Sequence, residues 1–201
     1  EKGYVLHDVE GNPTVAAQHD FEQGPSAPET TMATFAALLL ARFEVGAAPL
    51  ALVSTDNFSQ NGRHFRDAVT EVARAWQKVG FVSQGFVDYV SDEKRVGFPW
   101  TMIDRITPNP SLETEAALKE RGFTDLPLIA SGRSHFAGFS NTEAAHYLVV
   151  EDSFPNRRPD LSAGGVILCD RETAERADTM KVTACLNPLH TTLAVYGCLL
   201  G

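Results

Sequence analysis

The sequence predicts an α/β protein built on parallel strands. Short apolar runs at 47–53, 146–150 and 165–169 read as buried strands. Stretches of helical apolar period lie between them, which is the pattern of α/β units. At 201 residues, 43% hydrophobic and 21% charged, the chain has the composition of a soluble globular protein with one or two cores. The net charge of −9 argues against nucleic-acid binding through a basic face and favours a small-molecule role. The longest apolar runs, 36–41 and 192–201, fall far short of the roughly 20 residues that cross a bilayer, so no membrane partner is expected. Cys169, Cys185 and Cys198 are odd in number and widely spaced in apolar surroundings. They read as reduced core residues of a cytoplasmic protein, without zinc-site spacing. The chain opens on EKGYVL without Met and closes inside the apolar run 193–201, so a fragment at both ends is expected.

The first helix is expected over 26–46. Pro28 and Glu29 suit its first turn, Met32, Phe35, Ala36, Leu39, Leu40 and Phe43 share one face, and Gly46 ends it. The strand 47–53 follows and leads straight into 54-STDNFSQNG-62. A second helix is expected from Arg63 to Val79, with Phe65, Val69, Val72, Trp76 and Val79 on its buried stripe and Gly80 just past its end. Asn109, between Pro108 and Pro110, makes a rigid turn before a third helix over 112–121, which starts after Ser111 and stops at Gly122.

The polar loop 54–62 therefore joins a strand to a helix. In an open parallel sheet, strand ends of this kind line the ligand crevice, and the turn presents backbone N–H groups to anions. Ser, Asp, Asn and Gly are equally the residues of an ordinary surface turn, so both readings stand. No GxGxxG dinucleotide fingerprint is present. Asp104 and Arg105 lie inside the apolar stretch 98-FPWTMIDRITP-108, where a structural ion pair is the plain alternative to a functional role. Lys181, Asn187 and His190 sit in the nearly continuous apolar run 181–197. Burial lowers a lysine pKa and can make it a general base near neutral pH, whereas a side chain reaching out to solvent would be inert. His7, His19, His64, His135 and His146 share no ligand spacing and no metal site is expected, while Trp76 and Trp100 suit packing.

Five landmarks occur in order: EKGY at the start, SxDNxxxNG, FPxxMIDRITP, YLVVEDSFPNxRP at 147–159, and a Lys…Asn-x-x-His cluster. In these the chain resembles the polyol-specific long-chain dehydrogenases, which include mannitol 2-dehydrogenase and the fructuronate and tagaturonate reductases. The resemblance implies the later part of a Rossmann-like dinucleotide-binding domain over 1–177. The first helices of an α-helical substrate domain would follow over 178–201. It implies metal-independent hydride exchange between a nicotinamide cofactor, NAD with NADP not excluded, and a polyol or the matching ketose or keto-uronate. Lys181 matches the family's base, Asn57 and Asn187 its carboxamide donors to the reacting oxygen, and His190 its substrate-positioning imidazole. Asp104 and Arg158 would be substrate or supporting residues, and Ser54 and Asp56 cofactor contacts. A folded, non-catalytic domain lacking a complete cofactor site is the alternative.

Two departures from the family matter. Lys181 and Asn187 are six positions apart where the family has five, and Arg157 replaces a glycine of the FPxGRP pattern. On an uninterrupted helix at about 100° per residue, Lys181 and His190 would point to opposite sides. An interruption near Pro188 is therefore expected, with Asn187 as N-cap of a fresh start its structural alternative.

Overall fold

A computed structural model describes residues 2–104, 107–132, 134–142 and 147–200, with the backbone alone at 2, 104, 131 and 134. The chain forms two compact units, Glu1–Met102 with Leu148–Gly201, and Ile103–Tyr147.

In the larger unit the core is helical. Helices α1 (Val15–Gln23), α2 (Thr31–Glu44), α3 (Asn61–Val79) and α4 (Gln84–Ser91) precede or flank two short parallel strands, β1 (Leu50–Ala51) and β2 (Val96–Gly97). Helix α2 begins at Thr31, later than Pro28 suggests, because Thr30 caps it by accepting the Ala33 N–H at 3.1 Å. The buried Asp20 carboxylate takes the N–H groups of Glu29 and Thr30 at 2.7 and 2.8 Å. Met32, Ala36 and Leu39 of α2 meet Phe65, Val69, Val72 and Trp76 of α3, the face that helical periodicity predicts. Trp76 is fully buried because its indole N–H finds the Asp20 carbonyl at 2.7 Å. Gly80 closes α3 in the left-handed region at φ 92°, leaving Val79 exposed rather than on the buried stripe.

The strand expected over 47–53 pairs only at Leu50 and Ala51, opposite Val96 and Gly97. Strands β3 (Thr101–Asp104), β6 (Tyr147–Glu151) and β7 (Ile167–Cys169) form a three-stranded sheet in the order β3-β6-β7, with β6 parallel to β7. Helix α6 (Arg171–Asp178) follows, capped by Asp170 through the Thr173 N–H at 2.8 Å. It runs into a π-helical stretch, Thr179–Leu186, and then α7 (Asn187–Leu200). The division expected at 177/178 lies within α6, one residue before its end. Cys185 and Cys198 are exposed on this segment rather than in the core, and Cys169 is half-buried. In the smaller unit, α5 (Leu112–Glu120) is capped by Ser111, and β4 (Ile129–Ser131) pairs antiparallel with β5 (Ser134–Phe136). Among the described residues no helix is long and apolar enough to cross a membrane.

One buried amide ties these elements together at the start of α3. Asn61 is fully buried, and its Nδ2 donates to Thr101 Oγ1 at 2.8 Å and to the Asp56 carbonyl at 3.1 Å. Its Oδ1 accepts the N–H groups of Gly62 and Thr101 at 2.8 and 3.0 Å. The next residue must be glycine, since a Cβ on Gly62 would stand 2.4 Å from the Phe98 carbonyl oxygen. Asn61→Ala strands buried donors and acceptors, and should lower stability by about 2–4 kcal/mol. Urea unfolding of the full-length protein measures this; a loss under about 0.5 kcal/mol would contradict it.

Candidate active site

The loop between β1 and α3 turns some of its polar side chains inward. Asp56 is the hub: it accepts from Ser54 Oγ at 2.7 Å, the Phe58 N–H at 3.0 Å and, through a short contact, the Tyr4 hydroxyl. Burial pushes the Asp56 carboxyl up, but the hydrogen bonds from Tyr4, Ser54, Phe58 and Asn61 outweigh it and hold the group below its ordinary value. Burial, then the bond to Asp56, push the Tyr4 phenol up, so the proton between them belongs to Tyr4. Thr101 Oγ1 donates to the Ser54 carbonyl at 2.6 Å, fastening the loop to the start of β3.

Thr55 and Asn57 are different. Both are exposed, and neither side chain makes a hydrogen bond among the described residues. Asn57 thus offers a free carboxamide from a loop whose internal bonds are otherwise made. Beyond it, the Ser59 hydroxyl makes a short contact with the buried Asp178 carboxylate, and Gln60 Nε2 donates to Glu175 at 2.7 Å. The loop is clamped in this way to the end of α6, three residues before Lys181.

The expected interruption takes a different form from a fresh helix start. Asn187 has helical angles, φ −62° and ψ −46°, so it is not an N-cap, and its N–H reaches back five residues to the Val182 carbonyl. This wider winding answers Pro188, which lacks an N–H and would press its ring on the carbonyl of a preceding α-turn. A π-helix advances about 82° per residue, so ideal winding of this kind would set Lys181 and His190 about 70° apart around the axis, against about 180° on an α-helix. Lys181 is half-buried; Asn187 and His190 are exposed. Asn187 borders a shallow groove of about 550 Å³ with Thr183, Thr191, Thr192 and Tyr196.

A second, apolar pocket of about 390 Å³ lies beside β1 and β6, lined by Ala51, Val53, Val150 and Phe154 with Thr55 and Arg157 among its polar neighbours. Arg157 has φ 64°, the left-handed region that favours glycine, so the departure from FPxGRP is felt in the backbone. Arg158 is bound in a two-pronged pair to Asp152 at 2.6 Å and 2.6 Å, which suits a supporting role. The Asp104 side chain, Arg105 and His146 lie outside the described residues. Tyr4, Ser59, Asn61, Thr101 and Asp178 escaped the sequence reading as site-building residues. The EKGY and NG landmarks held the signal for two of them, while Thr101 and Asp178 carry no local mark.

The chain is similar to known proteins. Residues 14–163 match the profile of the mannitol dehydrogenase Rossmann domain. A D-mannonate oxidoreductase of Thermotoga maritima is 48% identical over the whole chain, which spans 38% of that relative's length. A D-arabinitol 4-dehydrogenase of Klebsiella pneumoniae is 29% identical, again over the whole chain and 40% of the relative. Among solved structures, the Pseudomonas fluorescens mannitol 2-dehydrogenase, a ternary complex with NAD and D-mannitol, superposes with a TM-score of 0.66 at 27% identity. That match covers 89% of this chain and 33% of the other.

The Asp56 hub makes a pH prediction. With its folded value depressed, the carboxylate contributes stability that is full above the ordinary 3.8 and is lost as pH falls through the lower folded value. The difference in Tm between wild type and Asp56→Asn should therefore be full at about pH 6 and shrink towards about pH 3. A difference that does not change with pH would remove Asp56 as the hub.

Proposed function

Because the chain belongs to the mannitol dehydrogenase family, through its Rossmann domain, we propose that it forms part of an oxidoreductase that interconverts a secondary alcohol of a sugar-derived polyol and the matching ketone. The substrate proposed is D-mannonate with its keto-acid, fructuronate. The 48% identity to a D-mannonate oxidoreductase, against 29% to a D-arabinitol dehydrogenase, supports that choice over an uncharged polyol. The three cysteines are free, in keeping with a cytoplasmic location.

One observation carries the reading: the free carboxamide of Asn57 stands on a loop fixed from within and clamped to the helix three residues ahead of Lys181. A nicotinamide nucleotide fits the residues present. The apolar pocket beside β1 and β6 would take its ring, and Thr55 and Arg157 would supply polar contacts there. NAD is proposed, with NADP as the alternative nucleotide. When bound, it would supply the hydride acceptor for oxidation and the hydride donor for reduction. Ser54 and Asp56 are proposed as cofactor contacts, their side chains being held by one another and by Tyr4.

The chain's own residues then divide the remaining work. Lys181, as the neutral amine, removes the hydroxyl proton in oxidation and returns it in reduction. Asn57 and Asn187 donate N–H bonds to the oxygen as negative charge develops on it. His190 orients the substrate, and Asp104 and Arg158 support the site. A carboxamide suits the donor role because it stays neutral at every working pH and presents two N–H groups.

In the full-length protein, D-mannonate and fructuronate should give the highest kcat/KM in a panel with mannitol and arabinitol, each tried with NAD(H) and NADP(H). Asn57→Ala should lower turnover by about a hundredfold or more while leaving the fold intact. Lys181→Ala should lower oxidation by about a hundredfold to ten-thousandfold and remove the limb of the pH profile that rises with pH. Wild-type rate and profile in the lysine variant would end its assignment as base.

A further inference from the structure

The loop that offers Asn57 is gripped on both sides of that residue by one side chain from the start of the chain. Tyr4 leaves the short 3-10 turn Lys2–Tyr4 and crosses to the loop fifty-odd residues away in sequence. Its hydroxyl donates to the carboxylate of Asp56, the residue before Asn57. Its ring stacks on Phe58, the residue after, with centroids 5.9 Å apart and planes 28° apart. Phe58 is held again by His64, 4.8 Å between centroids, and by its own N–H to Asp56 at 3.0 Å. Asn57 therefore projects between two neighbours that are both fastened to Tyr4, while its own side chain makes no hydrogen bond among the described residues.

We propose that Tyr4 is a positioning residue for the reaction: through Asp56 and Phe58 it sets where the Asn57 carboxamide meets the reacting oxygen. The proposal rests on the donor role of Asn57 put forward above. A donor aimed at developing charge works only within a narrow geometry, and displacement by about 1 Å can cost up to about a hundredfold in rate. The phenol is suited to the task because around neutral pH it stays protonated and donates, while Asp56 stays ionised and accepts. Phenylalanine keeps the stacking contact and removes the hydroxyl contact alone.

The test is a double-mutant cycle in the full-length protein, using Tyr4→Phe, Asn57→Ala and the pair, with kcat and KM measured for fructuronate reduction by NADH. At saturating NADH, Tyr4→Phe should lower kcat about tenfold with KM for fructuronate changed by less than about twofold. In the Asn57→Ala background the same change should alter kcat by less than about twofold, because the group being positioned is gone. Equal fold-losses in the two backgrounds would make Tyr4 a general structural residue and overturn the proposal. So would a Tyr4→Phe variant with wild-type kcat. If Asn57→Ala alone keeps wild-type turnover, the donor role itself falls and Tyr4 has nothing to position. If Tyr4→Phe does not fold, Phe58→Leu removes the other contact and is read against Asn57→Ala by the same comparison.

Discussion

The candidate site depends on the buried carboxamide of Asn61. A primary amide has two N–H donors and one oxygen with two acceptor positions, and here all of them are used within the fold. A fully bonded buried amide admits one orientation, because turning it over would set donor against donor and acceptor against acceptor at each of its contacts. That orientation fixes the backbone of Asp56, the start of α3 and the start of β3 relative to one another. Gly62 permits it by letting the chain pass against the Phe98 and Pro99 carbonyls, where no side chain has room.

From that fixed point the loop divides its polar residues by direction. Ser54, Asp56 and Asn61 turn inward and are bonded; Thr55 and Asn57 turn outward and are not. The turn reading of 54–62 thus describes the bonded residues, and the functional reading proposed above rests on Asn57. Turn-forming types make the frame, and the frame leaves one carboxamide to solvent. Ser59 and Gln60 then join the frame to α6 through Asp178 and Glu175, which couples the loop's geometry to the helix that carries Lys181.

That helix shows how a local constraint can serve the site. Pro188 is incompatible with the α-turn before it, and the chain responds by widening to π winding over Thr179–Leu186 rather than by stopping. The six-residue spacing between Lys181 and Asn187, one longer than the family's, is taken up in the same stretch. On ideal winding, the widened turns reduce the angle between Lys181 and His190 around the axis. The substitution of Arg157 for glycine, in contrast, keeps a left-handed backbone without the residue that adopts it freely.

The sequence by itself determined the α/β class, the buried faces of α2 and α3, and the need for an interruption near Pro188. Each is a short-range property: 3.6-residue periodicity and the missing proline N–H act within a turn or two. Helix α4 and the hairpin β4–β5 were not legible, since eight- and three-residue elements give too few repeats to show a period. Nor was the exposure of Cys185 and Cys198, because an apolar run does not reveal what packs against it. Asn57, Lys181, Asn187 and His190 stood out as residue types in a familiar order, but their setting did not. The bonds that build the site join Tyr4 to Asp56 across 52 residues, Asn61 to Thr101 across 40, and Ser59 to Asp178 across 119. A hydroxyl, amide or carboxylate has the same hydrogen-bonding capacity whether it is inward or outward, and only the folded chain brings to each the partner that decides between frame and function.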